Sequence, residues 1–357
     1  MNVTKLEKLP IPIKIDYSKF IPYLSKAHYS LGKLEALFKV LPNPNLLIAP
    51  LLVKEATLSS RIEGTQSSIT DVYLYEAGEK TKYDDVKEVM NYRKTLEYAQ
   101  GVLKQKPIHL NLIKKMHFIL MEGVRGHDKG RGDFRRVQNW IGRPGTPVEQ
   151  AIYIPPSPEK VIEYMDNLEK HINSEEKDFL VQASLIHSQF ECIHPFIDGN
   201  GRIGRILIPL FIYEKGIISH PVLYVSEFFE ANRKKYYVLL NKISKENNYE
   251  DWIKFFLKGV HWQSEKTQNI IDQMLELYNE IKEKLFSYKS PYSFKLLDFI
   301  FQHPIFASKD VIEKLRLNKV TVNRLVKMFI ELKVLEESEK KRNKIFIFKD
   351  LLTIIQK

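Results

Sequence analysis

The sequence predicts a mainly α-helical chain with one β-hairpin and a small C-terminal module of three helices and two short strands, on three observations. Through most of the 357 residues, apolar side chains recur at three- and four-residue spacing and alternating runs are scarce. Two short β-branched and aromatic runs, within 132–142 and 151–156, flank a Gly- and Pro-rich stretch, as in a hairpin with a long tip. After Ser290 the texture changes to compact helical runs followed by two strand-like runs.

Taken in order, the periodicity predicts helices over Leu34–Leu41, Leu51–Ile62, Asp84–Leu103, Leu110–Met121, Pro158–His171, Phe179–Glu191, Gly201–Tyr213, Glu227–Ile243 and Tyr249–Tyr288, the last broken in two. Beyond Ser290 it predicts helices over Lys295–His303, Ser308–Leu315 and Lys319–Lys333. Strands follow over Val334–Glu337 and Lys344–Phe348, around a charged turn, Ser338–Asn343. That order resembles a winged helix. The module holds 14 Lys+Arg against 8 Asp+Glu, with Asn318, Lys319, Thr321, Asn323, Arg324 and Lys327 on its third helix and Lys340, Lys341, Arg342 and Lys344 in the turn, so DNA is one candidate partner. Protein docking or a homodimer contact is the other reading of such a module.

Composition excludes several classes. Cys192 is the only cysteine, so no disulfide forms within the chain, which suits a cytoplasmic protein with an inert buried thiol. Met1–Phe20 carries charges and prolines where a secretion signal needs an apolar centre. No run reaches the ~18 apolar residues of a membrane span.

The chemistry is concentrated in the run from His194 through Pro195, Phe196, Ile197, Asp198, Gly199, Asn200, Gly201, Arg202, Ile203 and Gly204 to Arg205. Its glycines let backbone amides turn inward as an anion nest, and a helix resumes directly after it with its anion-favouring N-terminus. Arg202 and Arg205, three apart, share a face and can fork onto neighbouring phosphates. His194 titrates near neutrality and suits a general base; Asp198 offers a hard oxygen for Mg²⁺ shared with a nucleotide phosphate.

This run resembles, without a gap, the motif His-x-Phe-x-[Asp/Glu]-Gly-Asn-Gly-Arg-x-x-Arg of the Fic family of protein-modifying nucleotide transferases. The resemblance implies a Fic-type helical core with a β-hairpin flap. It implies His194 as base, and a nucleotide held by Asp198, Gly199, Asn200, Gly201, Arg202, Ile203, Gly204 and Arg205, with Tyr237 near the adenine. Arg202 would hold the α/β region, Arg205 the γ-phosphate and Asp198 the metal. Gly201 is replaced by a larger basic residue in the kinase-like branch, so its presence implies transfer of a nucleoside monophosphate: AMP from ATP, less commonly UMP, onto a Ser, Thr or Tyr hydroxyl of target proteins or of the chain itself. Removal of AMP by the same site is a further possibility within the family. A DNA-binding regulator with a degenerate nucleotide-sensing core is the alternative, but an intact His194, Asp198 and Arg205 argues for an enzyme.

Upstream, Ser59, Glu63 and Gly64 fit the family's inhibitory pattern [Ser/Thr]-x-x-x-Glu-[Gly/Asn]. Ser59 and Glu63 are i and i+4 and face one way, and Gly64 suits a helix end. Such a helix would hand Glu63 to Arg205. In the hairpin, the resemblance implies that Ile141, Gly142, Ile152 and Tyr153 form a flap that binds a target segment by strand addition. The expected organisation is an N-terminal helical region over 1–105, a core over 106–257, a linking helix over 258–289 and the winged-helix-like module over 290–357.

Overall fold

A computed structural model describes residues 3–11, 15–41, 43–80, 85–126, 128–142, 147–288, 290–338 and 344–357. Helices dominate: α1 (Ile21–Val40), α2 (Asn45–Ile62), α3 (Ile69–Glu76), α4 (Val86–Leu103), α5 (Leu110–Leu120), α6 (Pro158–Ile172), α7 (Phe179–Ile193) and α8 (Asn200–Glu214) carry the chain to its centre. Then come α9 (Ser226–Ala231), α10 (Arg233–Glu246) and α11 (Tyr249–Leu285). The last module is α12 (Pro291–Gln302), β1 (Ile305–Ala307), α13 (Ser308–Leu315), α14 (Lys319–Glu331), β2 (Glu336–Glu337), β3 (Ile345–Ile347) and α15 (Lys349–Gln356).

At the centre lie α7 and α8, buried on nearly every face and packed against each other. A helix apolar all round belongs in the interior, and both sequences read that way. His187 on α7 ties three helices together: its Nδ1–H donates to Gly204 O (3.0 Å), and its Nε2 accepts from Tyr236 Oη (3.0 Å) on α10. Burial pushes that imidazole down to about 3, so it stays neutral and can serve as both donor and acceptor. Trp252 on α11 donates to Ser184 O (2.8 Å), fixing the long helix to α7, and α1 runs along α11 on the other side.

The inhibitory-pattern helix α2 is anchored by burial of a carboxyl. Glu55 accepts from Tyr92 Oη (2.9 Å) on α4 and from Ser226 Oγ (2.6 Å) at the start of α9. α12 and α15 of the last module pack on α2 as well. In that module β3 lies between β1 and β2, all antiparallel, with Ile305 opposite Ile347 and Glu336 also opposite Ile347.

Several expectations shift. Tyr249–Leu285 is one unbroken helix, because its buried stripe continues through Gln263, Ser264 and Thr267, which find space inside the interface. The Glu227–Ile243 run divides at Asn232 into α9 and α10. α3, α15 and the first half of α1 were not foreseen. The strands are shorter than expected, β1 adds a third, and Lys340, Lys341 and Arg342 lie outside the described residues. The hairpin is reduced, among the described residues, to a single antiparallel bridge between Ile141 and Tyr153. Ile141 N, Ile152 N and Tyr153 N donate across it, but Arg135 N donates to Pro195 O outside it, and Pro155 and Pro156 have no donor to give.

Candidate active site

His194 closes α7 with a left-handed backbone (φ 50°), which turns the chain out of the helix and into the loop before α8. Its Nδ1 lies 3.3 Å from Glu191 O, so that nitrogen carries the proton and Nε2 keeps its lone pair. Burial pushes the imidazole down to about 4, against smaller upward pulls from the Glu191 carbonyl and Glu63, which leaves it neutral at physiological pH. Phe196 is fully buried, stacked on His117 with ring centroids 3.8 Å apart.

Asn200 wraps this turn. Its Oδ1 accepts from Phe196 N and its Nδ2 donates to Phe196 O, both at 2.8 Å. One N–H of this amide, expected among the groups that hold the nucleotide, thus clasps the loop. Gly199 (φ 78°) enters α8 in a conformation that L side chains rarely adopt. Asp198 projects beside the nest, 39% exposed, with one oxygen accepting from Gly199 N (2.6 Å).

The two arginines have different company. Arg205, 1% exposed, donates from Nε to Ser59 Oγ (2.8 Å), and from Nη2 to Ser59 O (2.9 Å) and Glu63 Oε1 (2.6 Å). Desolvation alone would raise the Glu63 carboxyl, but Arg205, with help from Arg202, holds it below its ordinary value. A Cβ on Gly201 would run into both Glu63 Oε1 and Arg205 Nη1, so only glycine admits this pair over the helix start. Arg202 is equally buried, but its Nη1 pairs with Glu88 Oε2 on α4 (2.5 Å) and its Nη2 lies 3.7 Å from both Met121 Sδ and Asp198 Oδ1. Arg202, expected at the α/β-phosphates, is here paired with an acid that lies outside the motif. Ile203 and Gly204 sit in the buried wall of α8.

Gly64 (φ 101°) ends α2, and Arg233 donates to Ile62 O there. Tyr237, on the same helix as Arg233, is 41% exposed and within electrostatic reach of Glu63 and Arg205. Ile141 and Ile152 meet across the flap bridge, and Ile152 is exposed. Tyr153 shares the bridge with its backbone while its hydroxyl donates to Cys192 O (2.6 Å), so its ring faces the scaffold.

Two residues missed by the sequence reading brace the loop. His117 accepts at Nδ1 from Gly132 N (2.9 Å), so its Nε2–H donates to Asp198 O (3.0 Å); burial pushes it down to about 4. Arg135 donates to the His194 carbonyl. Neither stands out in sequence, because both act on backbone carbonyls of residues far along the chain. Among the described residues no cluster of three or more His, Cys, Asp or Glu could hold a metal by itself.

Against known proteins, residues 21–101 match the Fic/DOC family N-terminal region and residues 107–212 the Fic/DOC family, together over half of the chain. Proteins named protein adenylyltransferase Fic from Drosophila sechellia and Drosophila melanogaster are each 27% identical over 221 residues, covering 58% of this chain and 41% of the relative. The chain thus spans less than half the length of the curated relatives it matches. Among solved structures, a Fic family protein from Desulfovibrio desulfuricans G20 shares the fold with a TM-score of 0.61 at 18% identity, covering 94% of this chain and 97% of that one. Fic-1 (residues 134–508) of C. elegans does so at 0.53 and 20%, covering 72% and 76%. With the helical fold, the His194–Arg205 loop and these matches in agreement, the chain belongs to the Fic family.

Proposed function

We propose that this chain transfers AMP from ATP to a Ser, Thr or Tyr hydroxyl of target proteins and of itself, releasing pyrophosphate, and that α2 restrains it. The observation that carries this reading is a neutral His194 with a free Nε2 beside an anion nest at the start of α8. The attacking hydroxyl gives its proton to Nε2 as its oxygen bonds to the α-phosphorus, and the bond from that phosphorus to the bridging oxygen breaks. The Asn200 and Gly201 amides hold phosphate oxygens, joined by Gly199 N once Asp198 turns from it to the metal, and Arg205, once free of Glu63, takes the γ-phosphate.

Asp198 fits Mg²⁺: it offers a hard oxygen and is 39% exposed, so the ion would complete its shell from phosphates and water. Bound there, Mg²⁺ would neutralise charge on the phosphates. The flap around Ile141, Gly142, Ile152 and Tyr153 would take the target strand. The divisions at 105, 257 and 289 follow the expected roles of inhibition, catalysis, linkage and targeting. No helix among the described residues is long and apolar enough to cross a membrane.

DNA binding stays a second reading because Lys319, Asn323, Arg324 and Lys327 are exposed on α14. Three of them share a groove of about 820 Å³ with Ala77, Gly78 and Glu79. Salt-dependent retention of the full chain on duplex DNA tests it. For the main reading, the protein is incubated with labelled ATP or UTP and Mg²⁺, and adducts are mapped by mass spectrometry. A nucleoside monophosphate on hydroxyl side chains supports the proposal; a bare phosphoryl adduct, or none from the Glu63→Gly variant, defeats it.

A further inference from the structure

We propose that Arg135 is a positioning residue for the base: through it, the flap that docks the target also fixes the backbone turn that aims the His194 imidazole. The inference rests on the transfer chemistry proposed above.

The last carbonyls of a helix have no partner within it. At the end of α7, Phe190 O accepts from His194 N and Glu191 O lies against His194 Nδ1, and from Cys192 onward the carbonyls are taken by the flap. Cys192 O accepts from Tyr153 Oη (2.6 Å), Ile193 O from Arg135 Nη2 (3.4 Å) and His194 O from Arg135 Nε (2.9 Å). Pro195 O accepts from Arg135 N (2.8 Å), and Phe196 O from Asn139 Nδ2 (2.9 Å). Five consecutive carbonyls, centred on the base, are thus held by three flap residues. Arg135 supplies three of those bonds and also donates to Val137 O (3.4 Å) and Pro156 O (2.5 Å), one on each arm of the flap. It is buried, and the five N–H donors of its planar fork reach four carbonyls, one more than the three donors of a lysine could serve.

His194 needs such support because its φ of 50° is a conformation that an L residue keeps only when its surroundings impose it. A target strand seated along Ile141 or Ile152 is therefore registered directly against the nitrogen that takes its proton. Arg135 thus bonds the α7 carbonyls and both flap arms with one side chain, while Asn139 reaches Phe196 O.

The test uses the full chain with Glu63→Gly, to which Arg135→Gln, Arg135→Ala or the milder Asn139→Ala is added. Misplacing a reacting group by about an ångström costs about a hundredfold, so kcat for transfer should fall by about that factor in Arg135→Gln while calorimetric ATP affinity changes less than about threefold. Added guanidinium should restore part of the kcat of Arg135→Ala. A folded Arg135→Gln protein with the parent kcat, or one losing ATP affinity as much as kcat, overturns the inference. If the Arg135 variants do not fold, Asn139→Ala decides, and an undiminished kcat there overturns it. Nitrogen-15 histidine spectra give a readout independent of transfer: the His194 signals should move in Arg135→Gln, and unmoved signals overturn the inference. A Glu63→Gly parent that binds ATP and transfers nothing defeats the transfer reading alone.

Discussion

Replacing Glu63 with glycine should turn the chain on, and the size of the effect follows from the pair it forms with Arg205. The two groups meet at 2.6 Å, with the arginine 1% and the carboxylate 33% exposed. Taking the charge centres as about 4 Å apart behind that contact, two unit charges interact by about 4 kcal/mol at the effective dielectric typical of protein surfaces. Water reaching the exposed third of the carboxylate screens part of that, leaving about 2 kcal/mol opposing capture of the γ-phosphate, or about thirtyfold. Glu63 Oε1 also lies against Gly201 at the start of α8, beside the amides proposed above to hold phosphate. Ser59 remains on Arg205 after the substitution, through both its hydroxyl and its carbonyl, so the guanidinium keeps its aim. The assay is self-modification by labelled ATP at matched Mg²⁺. An increase of at least about tenfold, equivalent to ~1.4 kcal/mol, is expected, and Glu63→Gly combined with Arg205→Ala should be inactive again. A Glu63→Gly protein no more active than the parent would refute the inhibitory role, and α2 would be scaffold only.

The remaining expectations concern the base, a second ion pair and pH. His194→Ala should abolish transfer while ATP affinity measured by calorimetry stays within about tenfold, because the imidazole acts on the hydroxyl and the nest on the phosphates. Glu88→Ala should lower stability by about 3 kcal/mol, read as a fall in melting temperature, because it leaves the buried Arg202 with only the more distant Asp198 carboxylate; an unchanged melting temperature would mean that the arginine relaxes into water. With the imidazole held down to about 4, it is already unprotonated well below the ordinary histidine value, so kcat for transfer in Glu63→Gly should stay flat from pH 8 to below 6.5 and fall only in more acid solution. An acid limb centred at 6.5 or above would show that the base is solvated during turnover.

Elements with a strong helical period were legible as helices, and their inner boundaries held where a capping residue marked them, as at Asn318, whose side chain accepts from Thr321 N (2.8 Å). α3 was missed although Ser68 and Asp71 form a capping box there. At eight residues it carries too few turns for a period to emerge, and its stability comes from packing against α4 and β1. The hairpin was misjudged for the converse reason: β-branched and aromatic runs report a pleated surface, but they do not say where the backbone and side-chain donors go.

The site divides in the same way. A linear motif reveals which groups stand on one helix face, and it brought His194, Asp198 and Arg205 to one place with Ser59 and Glu63 arriving from α2. It does not reveal which acid from elsewhere in the chain reaches which arginine. Arg202 and Arg205 look equivalent at i and i+3, yet the helix phase carries one guanidinium toward α2 and the other toward α4. Glu63 is one-third exposed and ends its helix, so it can withdraw into solvent at small cost; Glu88 is buried within α4 and has nowhere to go. The two ion pairs therefore differ in kind: the carboxylate of the Arg205 pair reaches solvent, and the Arg202 pair is enclosed on both sides beside the loop that carries Asp198.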